Sequence, residues 1–167
     1  MGKTKRMVLL SMLVAIALVI YLIEAQIPVL FPGIKLGLAN SISLVALIIL
    51  GWKEAFLIMI LRTILGSMFG GSMSAFMFSI AGGVLSNIVM VLLYKYFKKS
   101  LSIPTISICG SVFHNVGQLL VAAFIINDLR IYVYLPVLLI SAIVTGYFIG
   151  ILSSILKSRL DKILTLK

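Results

Sequence analysis

Cysteine, histidine and acidic residues are all scarce in this chain of 167 residues. Cys109 is its single cysteine and His114 its single histidine. One cysteine cannot build the disulfide framework of a small secreted domain. One Cys and one His cannot supply the four ligands of a usual zinc site, nor can one histidine hold a bis-histidine haem. We therefore expect no metal site and no bound cofactor.

The shortage of acidic residues excludes further chemistry. Glu24, Glu54, Asp128 and Asp161 are far apart, and each lies near a predicted helix end or in the C-terminal tail. No two of them are placed to hold magnesium for diphosphate chemistry. The phosphate-binding pattern GxxxxGK[ST] is also missing, so the chain hydrolyses no nucleotide itself. We assign no catalytic residue and predict that the protein is not an enzyme.

Apolar sequence, in contrast, is abundant. Hydrophobic residues make up 62% of the chain and charged residues 11%, whereas soluble domains average about 45–50% and about 25%. We predict an all-α integral membrane protein with one domain over residues 1–167, because no linker is long enough to fold separately. A membrane span needs about 20 apolar residues. Six segments reach or approach that length: Met7–Ile23, Ile34–Leu50, Ala55–Phe69, Ser74–Tyr94, Pro104–Ile126 and Tyr132–Leu156.

The second and third of these segments are the shortest for a membrane span. They fit short or tilted spans, or a hairpin buried among longer helices. Irregular backbone at membrane depth needs a protein or water-filled environment. The linker Gly51–Glu54 between them is predicted to be a tight turn.

The formal net charge of +10 predicts an orientation rather than nucleic-acid binding. Cytoplasmic loops of membrane proteins collect Lys and Arg. With six spans and the N-terminus inside, Lys35 and Arg130 lie outside and Arg62 lies within the membrane. The other eleven basic residues all lie inside: Lys3, Lys5, Arg6, Lys53, Lys95, Lys98, Lys99, Lys157, Arg159, Lys162 and Lys167. We predict a multi-pass cell-membrane protein with both termini in the cytoplasm.

Arg62 stands within the third apolar segment. An arginine at the centre of a membrane helix costs about 2.5–3.5 kcal/mol on the insertion scale. Such a residue usually faces the protein interior and has a partner or a ligand. Arg62 could contact a ligand, form a structural ion pair with Glu24 or Asp128, cap carbonyl groups, or extend to the outer surface.

Polar residues recur at helical spacing along the fifth segment, so they share one inward face. They are Ser107, Ser111, His114 or Asn115, and Gln118. This face either joins neighbouring helices by hydrogen bonds or lines a binding pocket. The stretch Gln26–Asn40 contains two prolines and two glycines, which forbid a simple helix there. It could close over a ligand or act as a plain connector.

Small residues form stripes that allow close helix approach. Ala75, Ser79, Gly83 and Asn87 repeat every four residues, and Gly146 and Gly150 form a GxxxG pair. We assign both groups to helix packing. Ser11 and Ala15 form a third small pair, near the basic end of the first segment. This pair could dock a partner helix.

Several stretches resemble one family of membrane proteins. They are PGIKLGLAN at residues 32–40, GWKEA at 51–55, LRTILGS at 61–67, AGG at 81–83 and HNVGQ at 114–118. Together they resemble the Gx transporter family, also called heptaprenyl diphosphate synthase component I, over nearly the whole chain. That family is similar to the substrate-binding S components of energy-coupling-factor transporters. The resemblance implies an S-component-like bundle of six transmembrane helices, an outward-facing pocket, and a partnership with a T subunit and two ATPases.

The resemblance also gives the small pair on the first segment a role. S components carry an AxxxA-like motif on their first helix for partner docking, and the matching residues here are Ser11 and Ala15. The synthase name is less well supported, because prenyl diphosphate synthases use aspartate-rich DDxxD motifs and this chain has no adjacent acids.

We expect a membrane subunit that binds a small metabolite for uptake and is energised by partner ATPases. The expected substrate-binding residues are Lys35, Asn40, Arg62, His114, Asn115 and Gln118. The three basic ones would favour an anionic or carbonyl-rich ligand, and the three amides would orient it. The alternative is a membrane subunit of a quinone- or flavin-linked system, in isoprenoid metabolism or extracellular electron transfer.

Overall fold

The computed structural model describes residues 2–26, 37–70 and 73–165. These residues form six α-helices and one short 3₁₀ helix and contain no strand. The α-helices are α1 (Lys3–Glu24), α2 (Asn40–Ile49), α3 (Trp52–Gly70), α4 (Met73–Phe97), α5 (Ile103–Ile126) and α6 (Leu135–Thr165), and the 3₁₀ helix η1 spans Leu129–Tyr134. The all-α prediction is confirmed.

Four helical segments are long and apolar enough to cross a membrane: Lys3–Glu24, Met73–Phe97, Ile103–Ile126 and Arg130–Leu160. These segments indicate a membrane protein. The other two helices do not reach that standard. α2 has ten residues, which is about 15 Å of helix, and α3 carries the charged residues Lys53, Glu54 and Arg62. The count of six complete spans stays a prediction.

α2 lies at the centre of the bundle. It contacts each of the other five α-helices, and these neighbour one another in the order α1, α3, α4, α5, α6. All residues from Asn40 to Leu47 are buried. A short helix with no lipid-facing side is compatible with a membrane because protein satisfies its ends. Of the alternatives for segments two and three, burial among longer helices applies to α2. It does not apply to the whole of α3, which is partly exposed.

Several predicted boundaries were wrong for local reasons. The second apolar segment was predicted over Ile34–Leu50, but α2 begins at Asn40. The turn at Gly37–Ala39 agrees with the prediction that Gln26–Asn40 forms no simple helix, and residues 34–36 lie outside the described part. The predicted turn over Gly51–Glu54 is shorter than expected. Gly51 adopts a φ of +116°, which glycine tolerates, and α3 begins at the next residue.

The start of the last segment also differs from the prediction. α5 ends where Asn127 takes a left-handed conformation, with φ of 53°. The Asp128 side chain then accepts a hydrogen bond from the Arg130 N–H at 2.8 Å and begins η1. Tyr132–Tyr134, expected within the sixth α-helix, therefore belong to the 3₁₀ helix.

The apolar core has two parts. One surrounds α2 and includes Leu13, Leu44, Ile58, Met90 and Ile106. The other joins the start of α4 to the end of α5 and η1 and is formed by Phe78, Leu119, Ala122, Ala123 and Ile131. Buried polar residues accompany both parts. In a strongly apolar membrane protein, buried polar residues commonly belong to functional sites.

Candidate functional site

The Glu24 carboxylate binds the N-terminal end of α2. It accepts hydrogen bonds from the backbone N–H of Gly37 and, at 3.4 Å, from that of Ala39. The first N–H groups of a helix have no acceptor within the helix, and the helix dipole favours a negative charge there. Glu24 is 3% exposed. The last residue of α1 therefore fixes the position of α2.

Gly37 brings this turn against α5. Its φ of +81° lies in the left-handed region, and an added Cβ would lie 2.9 Å from Cδ2 of His114 and 3.2 Å from Nδ2 of Asn40. A side chain at this position would be strained and would also collide with the imidazole. Glycine here places His114 next to the start of α2.

Arg62 reaches the same turn from α3. Its Nη2 donates to Oδ1 of Asn40 at 2.6 Å, and its guanidinium carbon lies 5.9 Å from the ring centroid of Tyr21. The Tyr21 hydroxyl donates to Oγ of Ser79 on α4 at 3.1 Å. The Arg62 side chain is 2% exposed. We call Tyr21, Glu24, Asn40 and Arg62 the Arg62 cluster.

The direct hydrogen-bond acceptor of Arg62 is neither of the two carboxylates considered for an ion pair. Glu24 attracts the guanidinium through space, but its oxygens are hydrogen-bonded to the start of α2. Asp128 is exposed and caps η1, so the alternative of an ion pair between Arg62 and Asp128 is wrong. Asn40 is the direct acceptor because the turn at Gly37–Ala39 places the first residue of α2 next to the Arg62 side chain of α3.

Two donors of the cluster are unused within the described part of the chain. They are Nε of Arg62 and Nδ2 of Asn40, both in side chains that are at most 3% exposed. A buried donor without an acceptor costs about 1–3 kcal/mol. Both atoms can donate to the same class of acceptor, such as a carboxylate, a phosphate or a carbonyl oxygen. The cluster thus has the hydrogen-bonding capacity of an anion or carbonyl site.

The polar face of α5 is buried, as expected, and its residues contact two neighbouring helices, α4 and α6. Ser107, Ser111, His114, Asn115 and Gln118 are all at most 3% exposed. His114 and Gln118 lie against Gly82 of α4, whose ideal Cβ would lie 2.9 Å from both side chains. Asn115 instead donates to the Leu138 carbonyl of α6 at 2.9 Å.

The structure therefore brings some of the predicted substrate-binding residues together and separates others. Asn40 and Arg62 are in direct contact, and His114 is adjacent through Gly37. Asn115 connects α5 to α6. Lys35 lies outside the described residues. Sequence reasoning missed Glu24 as a helix cap and Tyr21 as a cation–π partner. The signal for Glu24 was its position as the only acid near the start of the second segment.

The small residues fall into a buried group and an exposed group. Ala75, Ser79, Gly83 and Asn87 are buried on α4, and Gly83 faces Met59 of α3. On α6, Gly146 packs against Ile108 and Gly150 against Pro104, both on α5. Ser11 and Ala15 are exposed on α1, and the Ser11 hydroxyl donates to the Met7 carbonyl at 3.0 Å.

We predict strong coupling between Glu24 and Arg62. Each single change, Glu24→Gln or Arg62→Gln, leaves the other charge buried without its opposite, whereas the double change removes both. A double-mutant cycle on unfolding in detergent should give an interaction energy of about 1–3 kcal/mol.

The exposed ion pair of Arg6 with Glu54 is the matched control. Its Arg6 side chain is 49% exposed, so a cycle with the same Gln substitutions should give about 0.2–1 kcal/mol. Equal coupling energies in the two cycles would contradict a cluster stabilised by buried charges.

Comparison with known proteins adds one finding. The family model described as heptaprenyl diphosphate synthase component I matches residues 13–156, which is all but the two ends of the chain. The match includes every residue of the Arg62 cluster, the polar face of α5 and both glycines of α6. No curated protein and no solved structure matches closely enough to be a relative. The chain belongs to the heptaprenyl diphosphate synthase component I family.

Proposed function

We propose that the protein is the substrate-binding subunit of an uptake transporter, and that it binds a small metabolite through an anionic or carbonyl-rich group. The Arg62 cluster carries this proposal. It is a buried polar site that contains a cation and, within the described part of the chain, two side-chain donors without an acceptor. Intramembrane charges of this kind commonly mark substrate pathways.

The energetics favour a ligand at this site. Holding Arg62 in the membrane costs about 2.5–3.5 kcal/mol, and each unused buried donor adds about 1–3 kcal/mol. Asn40 and Glu24 offset part of this cost. A carboxylate or carbonyl accepting from Nε of Arg62 and Nδ2 of Asn40 would offset the remainder, and a charged acceptor makes the stronger bonds.

The start of α2 fits the same role. In many transporters, substrate sites form where a helix is interrupted within the membrane and a helix N-terminus meets the substrate. Here α2 begins next to Arg62 and His114. Glu24 already holds the helix end, so the ligand is expected to bind on the side chains of Asn40 and Arg62.

A binding role is favoured over prenyl transfer, despite the name of the family. The carboxylates whose surroundings are described have separate partners. Glu24 caps α2, Glu54 pairs with Arg6, and Asp128 caps η1. Diphosphate chemistry on magnesium needs carboxylates that converge on one site. The family name denotes a component of a larger system, which accords with partner subunits.

Arg62→Lys is the sharpest test of the ligand role. Lysine keeps the charge near Glu24 but lacks the forked donors of arginine. Losing a hydrogen bond to a charged ligand costs about 1.5–3 kcal/mol, so we expect the affinity for the co-purified metabolite to fall at least about tenfold. Native mass spectrometry of purified protein measures what is retained.

Arg130→Lys is the control, because Arg130 is exposed within η1. Melting in detergent checks that both variants are folded. Undiminished retention of the metabolite by Arg62→Lys would defeat the proposed site. A retained quinone or flavin would instead support the redox alternative.

The proposed orientation places the basic end of the bundle in the cytoplasm. Arg6, at the start of α1, pairs with Glu54 and donates to the Leu50 carbonyl, so the N-terminus lies beside the α2–α3 turn. Lys95 and Lys98 line one groove with Gly51 and Trp52 of that turn. On α6, Gly150 packs against Pro104 at the start of α5, so the end of α6 lies on the same side. An excess of Lys and Arg on one side of a membrane protein marks the cytoplasm.

Cysteine labelling tests this orientation in a Cys109→Ala background. With a membrane-impermeant maleimide on intact cells, Asp128→Cys should react, and Lys98→Cys should react only after permeabilisation. Asp128 and Lys98 are both exposed, so accessibility within the protein does not limit either reaction. The reverse pattern would show that the bundle is inverted.

The partner subunit is proposed to dock on α1 at Ser11 and Ala15. Both residues are exposed, on a helix flanked by the exposed apolar residues Met12 and Ile16. Small side chains there allow a second helix to approach closely. The position near the basic end is also where cytoplasmic ATPases would meet the bundle.

Ala15→Leu should weaken this docking and spare the ligand site. The larger side chain obstructs a close helix approach, so recovery of the T subunit by pull-down should fall several-fold while metabolite retention stays constant. Ala25→Leu is the matched control, because Ala25 is exposed at the opposite end of α1. Unchanged recovery with Ala15→Leu would mean that this stripe faces lipid.

A further inference from the structure

We propose that a groove at the basic end of the bundle binds an anionic phospholipid, with the phosphate at Lys95 and Lys98 and the first part of an acyl chain against Leu47 and Val91. This site is independent of the Arg62 cluster and of the transported substrate. It involves other residues, at the other end of α2.

The groove lies where three helices meet. The end of α2 contributes Leu47 and the start of α3 contributes Trp52. The last turns of α4 contribute Val91, Tyr94 and Lys95, and Lys98 follows in the turn after α4. Its volume is about 360 Å³. Gly51 forms the turn at its edge, where a φ of +116° sends the chain directly from α2 into α3.

The lining divides into an apolar part and a basic part, as an anionic amphiphile requires. Leu47 is buried and Val91 half-buried, so they form the apolar floor, while Lys95 and Lys98 are exposed at the rim. Tyr94 and Trp52 stand between the two parts, and Trp52 is 56% exposed. Trp and Tyr favour the level of lipid head groups, and basic pockets between membrane helices bind anionic head groups.

The charge of the rim is available to a ligand. Within the described residues, neither lysine of the groove has a carboxylate within ion-pair distance, and the nearby Glu54 is paired with Arg6. Lys53 lies over the Trp52 ring at 5.6 Å and adds to the positive potential. Charge complementarity therefore favours an anionic head group over a zwitterionic one. The apolar floor favours a lipid over a free phosphate ion.

Lipid retention by the full-length protein tests the proposal. The protein is purified in detergent, incubated with phosphatidylglycerol, phosphatidylcholine or glycerol phosphate, and analysed by native mass spectrometry. We expect retention of phosphatidylglycerol only. Lys95→Gln and Lys98→Gln should each weaken it roughly fivefold, which corresponds to about 1 kcal/mol per basic residue near an anionic lipid.

Two further variants separate groove binding from general surface charge. Lys99→Gln removes the same charge at an exposed residue next to the groove and should leave retention unchanged. Val91→Phe fills the apolar floor without altering charge and should reduce it. The proposal is overturned by equal retention of phosphatidylcholine, by retention of glycerol phosphate alone, or by an equal loss with Lys99→Gln. It is also overturned if the lysine variants reduce only the recovery of a protein partner.

Discussion

A positive charge held inside an apolar bundle is the constraint on which this structure depends. Arg62 needs an acceptor and a counter-charge within reach, and both come from the junction between α1 and α2. Asn40 can act as the acceptor only if α2 begins next to Arg62. Glu24 can act as the counter-charge only if α1 ends there. The start of α2 at Asn40 and the preceding turn at Gly37–Ala39 meet this requirement.

The same junction shows what the sequence could and could not predict. Hydropathy located α1, α4 and α5 closely, because a long apolar run in a membrane protein has few alternatives to a spanning helix. Hydropathy alone extended the second segment upstream of Asn40, whereas the prolines and glycines of Gln26–Asn40 correctly predicted no simple helix at the turn Gly37–Ala39. The composition did not predict that the Glu24 side chain, thirteen residues before Gly37, binds the turn at the start of α2.

The candidate site was predictable in its residue types but not in its pairings. An intramembrane arginine and a polar stripe on one helix face are visible in any hydropathy plot, and both are buried here. Which amide accepts from Arg62 depends on how three helices meet. Asn40 and Asn115 were indistinguishable in the sequence, yet the first binds Arg62 and the second joins α5 to α6. That difference comes from the turn before α2 and from the antiparallel packing of α5 with α6.

The central position of α2 has a consequence for how the protein is made. Chains are synthesised from the N-terminus at about 5–20 residues per second, and α4, α5 and α6, which cover α2, follow it in the chain. A ten-residue helix beginning with Asn40, Ser41 and Ser43 cannot rest in lipid while its polar groups lack protein partners. The α2–α3 hairpin therefore cannot take its final place until roughly several seconds of further synthesis have supplied those helices. A chain that stops before α6 would leave the buried polar start of α2 without part of its protein cover.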